Sequence, residues 1–185
     1  MTRPNKTAKA AMIIIFFTLV SKFLGFFREI LIAAKFGSGI DTDTFFIALT
    51  TTTLVTDFIK GAISTTYIPI VSEIEYKEGK TGKIIHTNNM INIMFLVSAI
   101  LVIITSIGTP LIIKLLAIGF EGEQFNLAVK LTRIGLPMIL FSGVIGVMSG
   151  YLQSEERFIS TAIAGVPFNF VYIIFLLFLS SIFSI

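Results

Sequence analysis

The stretch AAMIIIFFTLVSKFLGFFREILIAAKF, residues 10–36, is long and apolar enough to cross a bilayer, yet Lys22 and Arg28 interrupt its isoleucines, phenylalanines and leucines. About 20 apolar residues in a helix span a hydrocarbon layer of ~30 Å. An ionisable side chain at that depth costs about 2.5–3.5 kcal/mol on insertion scales, so it is kept mainly where it faces a wet cavity, a partner or a substrate. Lys22 and Arg28 are therefore the first functional candidates.

The rest of the chain extends the membrane reading. Hydrophobic residues make up 55% of 185 positions and the mean hydropathy is +0.93, more than one soluble core can hide. The pattern predicts an all-α polytopic membrane protein with about five spans, at 10–36, 44–72, 87–108, 126–152 and 159–185, in a single membrane domain covering 1–185. The segment at about 110–120 opens with Pro110, is too short to span, and is expected in the interface. The last apolar run reaches Ile185 without a basic flank, and the chain is expected to be a fragment of a longer protein. Nothing behind the basic start, Met1 to Lys9, provides a signal-peptide cleavage site.

Basic residues set an expected orientation. Arg3, Lys6, Lys9, Lys77, Lys80, Lys83 and Arg157 fall on one side of the spans, Lys35 and Lys114 on the other, with Lys130 and Arg133 opening the fourth helix there. Short loops rich in Lys and Arg stay in the cytoplasm, which puts the N-terminus inside and the segments 37–43 and 109–125 outside.

Helical periodicity groups the polar residues. At 100° per residue, Thr18, Ser21, Lys22, Gly25, Arg28 and Glu29 share an arc of about 120°, opposite Phe16, Leu19, Phe23, Phe27 and Ile30. In the second helix Thr50, Thr53, Asp57, Lys60, Gly61 and Ser64 share about 100°. Two such stripes on neighbouring helices imply a shared cavity. With a rise of ~1.5 Å per residue, Lys22 and Asp57 lie at similar depths and are able to meet, while Arg28, about 12 Å down, has no acid opposite and is the cation most available to a ligand. Asp57 and Lys60, at i, i+3, are equally able to neutralise each other. Two cations against one nearby acid favour recognition of an anion such as a phosphate or carboxylate.

Elsewhere the signals are structural. Gly143, Gly146 and Gly150 form a small-residue face suited to close helix crossing, and Pro137 and Pro167 with Asn169 are expected bending points. Glu73, Glu75, Lys77, Glu78 and Lys80 read as an exposed, mixed-charge helix end, and His86 as a solvated side chain. Cysteine is absent, and no phosphate loop, catalytic acid pair or metal motif is found, so neither a cofactor nor an enzyme activity is expected. A nucleic-acid footprint is missing too.

Several blocks, Ser21 to Glu29, Phe36 to Gly39, Thr42 to Ala48, Gly61 to Ile70 with Glu73, Gly119-Phe120, and Leu136-Pro137 through Asn169, together resemble the MurJ/MviN family, proposed lipid II flippases of bacterial cell-wall synthesis. The resemblance implies a two-lobe, fourteen-helix transporter of the bacterial inner membrane, of which this chain supplies about the first five helices and the remaining lobe is a partner. Lys22 and Arg28 resemble the basic residues held to contact the diphosphate of the lipid-linked glycan. Glu29 and Asp43 resemble acids with gating roles, and Asp57 and Lys60 are cavity candidates. Lys22 stands where the family has an arginine, and the stretch from Thr50 to Asp57 lacks the Pro-Asn and Arg typical of the second helix. The implied function is lipid II flipping by alternating access. An exporter of another polyprenyl-linked glycan and a non-transporting five-helix scaffold are the alternatives.

Overall fold

The computed structural model describes residues 3–37 and 39–179, and every regular element among them is helical. The elements are α1 (Arg3–Phe36), α2 (Ile40–Leu116), α3 (Gly122–Gly135), α4 (Met138–Ser154), α5 (Phe158–Ile163), α6 (Gly165–Ile174) and a π-helical turn, Phe175–Leu179. The end of the expected fifth span, 180–185, lies outside the described residues. Ala11–Phe36, Ile40–Leu116 and Phe158–Phe178 are long and apolar enough to cross a membrane, and α3 with α4 form a further span bent by 41°. The chain is an all-α, multi-pass membrane protein.

α2 is a hairpin. Gly79 has φ 70 and ψ −170, a backbone region open essentially to glycine alone. The Tyr67 and Thr87 hydroxyls are 2.7 Å apart, whereas 20 residues of straight helix would separate them by about 30 Å. The arms 40–78 and 80–116 therefore run back along each other, and each is long enough to cross.

The chain forms two compact units, Met1–Ser38 with Glu155–Ile185, and Gly39–Ser154. In the first, α5 and α6 pack on α1. Asn169, Ile173 and Leu176 are buried on one face, at the spacing of a helical stripe. Gly165 faces Ser21, close enough that a Cβ would meet the serine hydroxyl at 2.6 Å. Pro167 sits in the first turn of α6, where a missing N–H costs nothing.

In the second unit, Ile59, Ile63, Tyr67 and Val71 of α2 recur every four residues and pack with Leu136, Ile139 and Val147 around one core. Ile113, Ala128 and Val129 make a smaller cluster. The α4 glycines let this helix press against both arms of α2: Gly143 lies at Ser98, Gly146 at Ile63, Gly150 at Tyr67. The 41° bend falls at Leu136-Pro137, where proline removes a helix donor.

Pro110 does not break α2, which continues to Leu116; the expected interfacial segment is thus mostly the end of a long arm. Proline at 110 deprives the Ser106 carbonyl of its i+4 partner. Arg133 Nε donates to that carbonyl at 3.1 Å, and the ladder is repaired from another helix.

Candidate functional site

The polar arc of α1 divides into two parts. Ser21, Gly25 and Arg28 turn toward α6, while Thr18, Lys22 and Glu29 remain exposed. Arg28 lies at the centre of the packed part, its side chain 17% exposed. Its Nη1 donates to Asn169 Oδ1 at 3.3 Å, and the guanidinium sits over the Tyr172 ring, 5.3 Å from its centre, in cation–π range.

Asn169 is held in one orientation. Its amide nitrogen donates to the Gly165 carbonyl at 3.0 Å, the Ser21 carbonyl at 3.3 Å and the Ser21 hydroxyl at 3.4 Å. An amide nitrogen is a donor and its oxygen an acceptor, so this arrangement turns Oδ1, and only Oδ1, toward the arginine.

Among the described residues no carboxylate lies within hydrogen-bond distance of Arg28. Glu29 is 58% exposed and its Oε1 is 3.7 Å from Nη2, too far for a hydrogen bond; as the next residue it projects about 100° around the helix. The bonded partner of the guanidinium is neutral, and its buried Nε has no hydrogen-bond partner. The cation is thus aimed by a neutral amide, while its ion pair with Glu29 is long and its carboxylate largely exposed. Lys22 is exposed and, among the described residues, has no ion-pair partner. Beside Arg28, Pro167, Phe168, Val171 and Tyr172 of α6 with Phe175 of the π-helical turn line an open apolar groove.

In the second unit the α2 arm 40–78 shows two faces. Thr52, Thr56, Ile59, Ile63, Tyr67 and Val71 are buried, whereas Thr50, Thr53, Asp57, Lys60, Gly61 and Ser64 are all exposed. Asp57 and Lys60 approach to 4.0 Å with half or more of each side chain exposed, a loose contact of the kind that contributes little. Asp43 is exposed in the first turn of α2 beside Asp41, where a carboxylate favours the positive helix end. Lys22 and Arg28 belong to one unit, Asp43, Asp57 and Lys60 to the other.

Sequence reasoning missed three groups. Asn169 was read as a bend, and Tyr172 drew no attention in its apolar run. In the sequence Glu75 reads as part of an exposed helix end and Lys83 as a charge that sets orientation, yet Lys83 is fully buried and paired with Glu75. Arg133 was counted only for topology. An Asn inside an apolar helix is the one signal that pointed to the first group, because a polar amide in lipid needs a partner.

The family described as "Lipid II flippase MurJ" matches residues 32–184; Lys22, Arg28 and Glu29 precede that span. The chain is 31% identical over 160 residues to the lipid II flippase MurJ of Burkholderia cenocepacia, covering 85% of this chain and 31% of that protein. It is 36% identical over 172 residues to a probable lipid II flippase MurJ of Buchnera aphidicola subsp. Acyrthosiphon pisum, covering 90% and 33%. With the lipid II flippase MurJ of Thermosipho africanus it shares 32% over 158 residues, covering 85% and 32%. The chain spans about a third of the length of these curated relatives.

Proposed function

Because the chain belongs to the lipid II flippase MurJ family, we propose that it is the cation-bearing part of a transporter that carries a lipid-linked peptidoglycan precursor across the bacterial inner membrane by alternating access. Arg28 and Lys22 take the diphosphate. Arg28 supplies a planar fork for phosphate oxygens and Lys22 a movable point charge. The polyprenyl tail stays in lipid while the two lobes rearrange around the headgroup. No bond is made or broken, so the protein is a transporter and not an enzyme. The N-terminus lies in the cytoplasm, an orientation supported by the excess of Lys and Arg on that side.

The observation that carries this reading is the guanidinium of Arg28, oriented by Asn169 and Tyr172 but paired with no carboxylate at hydrogen-bond distance. A cation kept charged and aimed inside an apolar bundle is costly unless it meets an anion. The exposed stripe of α2 supports the same reading, since Asp57 and Lys60 need water rather than acyl chains around them. Glu29, Asp43, Asp57 and Lys60 act as cavity and gating groups.

The test is complementation of a strain depleted of its lipid II flippase by the full-length protein, with Arg28→Ala and Lys22→Ala alongside. Loss of growth with either variant at normal expression is expected. Growth with both would reduce the cations to packing elements.

A further inference from the structure

A second buried charge cluster lies at the Gly79 end of the second unit, and the transport reading makes no use of it. Lys83 has no exposed side-chain surface; its ammonium is 2.6 Å from Glu75 Oε2 and 4.9 Å from the centre of the Tyr151 ring. These three residues come from both arms of α2 and from the last turn of α4. Beside them Thr87 donates its hydroxyl hydrogen to the Lys83 carbonyl at 2.7 Å, so in the 2.7 Å contact with Thr87 the buried Tyr67 is the donor. His86 stacks on the Tyr67 ring with 7° between planes.

The neighbouring pair Glu73–Lys77 provides a contrast. It joins adjacent turns of a single arm and is fully exposed; its hydrogen bond holds the Glu73 carboxyl below its usual range and the Lys77 amine above its own. Such a pair fixes nothing beyond one helix. Lys83 instead bridges three helix ends, and a buried cation is retained only where its partners satisfy it.

We propose that Lys83, seated between Glu75 and the face of Tyr151, is a latch that holds the two arms of α2 and the end of α4 as one rigid body. Its geometry stands by itself; its purpose, letting the unit swing without bending, rests on the transport reading. The ring matters because its face is negative and attracts a cation but repels a carboxylate.

The experiment is hydrogen exchange on the full-length protein in nanodiscs, read at the amides of 67–87 and 147–151. Glu75→Gln removes the carboxylate charge 2.6 Å from the buried ammonium and raises exchange about 100-fold. Lys83→Met is milder, about tenfold, because Glu75 is one-third exposed and reaches water. Tyr151→Phe keeps the ring and wild-type protection, whereas Tyr151→Leu loses about tenfold. Exchanging the charges, Glu75→Lys with Lys83→Glu, fails to restore protection. Wild-type exchange in Glu75→Gln, or full restoration by the charge exchange, would overturn the latch.

Rigidity is read separately with spin labels at the exposed Ile70 and Ile93. One distance is expected in both transport states, broadening in Glu75→Gln. A wild-type distance that shifts between states would refute the proposal. Exchange and distance are measured without transport, so a failed complementation and a failed latch are told apart.

Discussion

Replacing Gly150 by alanine tests how closely α4 lies on α2. A Cβ at this position would fall 2.8 Å from Tyr67 Cδ1 and 3.2 Å from Cε1. Tyr67 has no exposed surface and its hydroxyl is tied to Thr87, so the ring is unable to step aside. Overpacking of this kind costs about 1–3 kcal/mol, and alanine returns up to about 1 kcal/mol of helix propensity. The expected net loss is therefore about 1–2 kcal/mol. Gly146→Ala is the internal control: its Cβ would meet Ile63 Cδ1 at 2.7 Å, the free end of a side chain that can change rotamer. That variant should fall within about 0.5 kcal/mol of wild type once the propensity gain is included. The assay is unfolding of the purified protein in mixed micelles by SDS titration, followed by loss of helicity. Tyr67→Phe removes the anchor and lets the ring move, so Gly150→Ala in that background should cost less than the sum of the separate changes. Gly146→Ala more damaging than Gly150→Ala, or strict additivity with Tyr67→Phe, would refute the packing argument.

Two further outcomes follow from single contacts. Asn169→Asp places a carboxylate where Arg28 now meets a neutral oxygen and sets an acceptor against the Gly165 and Ser21 carbonyls that the amide nitrogen now satisfies; complementation should fall sharply even where helicity is retained, and normal growth would show that Arg28 tolerates a tight carboxylate partner. Arg133→Met keeps the aliphatic stem but removes the donor to the Ser106 carbonyl and should destabilise the end of α2 by about 1 kcal/mol. In a Pro110→Ala background, where the backbone donor returns, the same change should be silent; equal cost in both backgrounds in an unfolding titration would exclude the repair.

The helical class was legible in the sequence because long apolar runs have few alternatives in a bilayer. The close approach of α4 was legible as well, since Gly146 and Gly150 sit one turn apart. What escaped the sequence depended on partners far along the chain. Arg28 and Asn169 are 141 residues apart, so the arc that looked uniformly polar gave no sign that Ser21, Gly25 and Arg28 pack while Lys22 stays open. Lys83 has the local composition of a solvated loop, and only the fold-back at Gly79, with the arrival of Tyr151, buries it. Pro110 read as a break because the compensating donor, Arg133, lies on another helix. Asp43, Asp57 and Lys60 were visible as charges, but periodicity alone could not assign their face; the burial of Thr52, Thr56 and Ile59 does.

The buried hydroxyls of the second unit bear on how this protein enters the bilayer. Thr44, Thr51, Thr52, Thr109, Thr132 and Ser142 each donate to the carbonyl four residues earlier in their own helix. Each hydroxyl is quenched before any neighbour arrives, so a nascent arm leaving the translocon meets lipid with these polar groups already satisfied. Lys83 and Asn169 lack that independence: the lysine requires Tyr151, made later, and the asparagine a first helix already waiting in the membrane. Biogenesis of this region therefore divides into segments that insert alone and polar side chains that are sheltered only when their partner helices arrive.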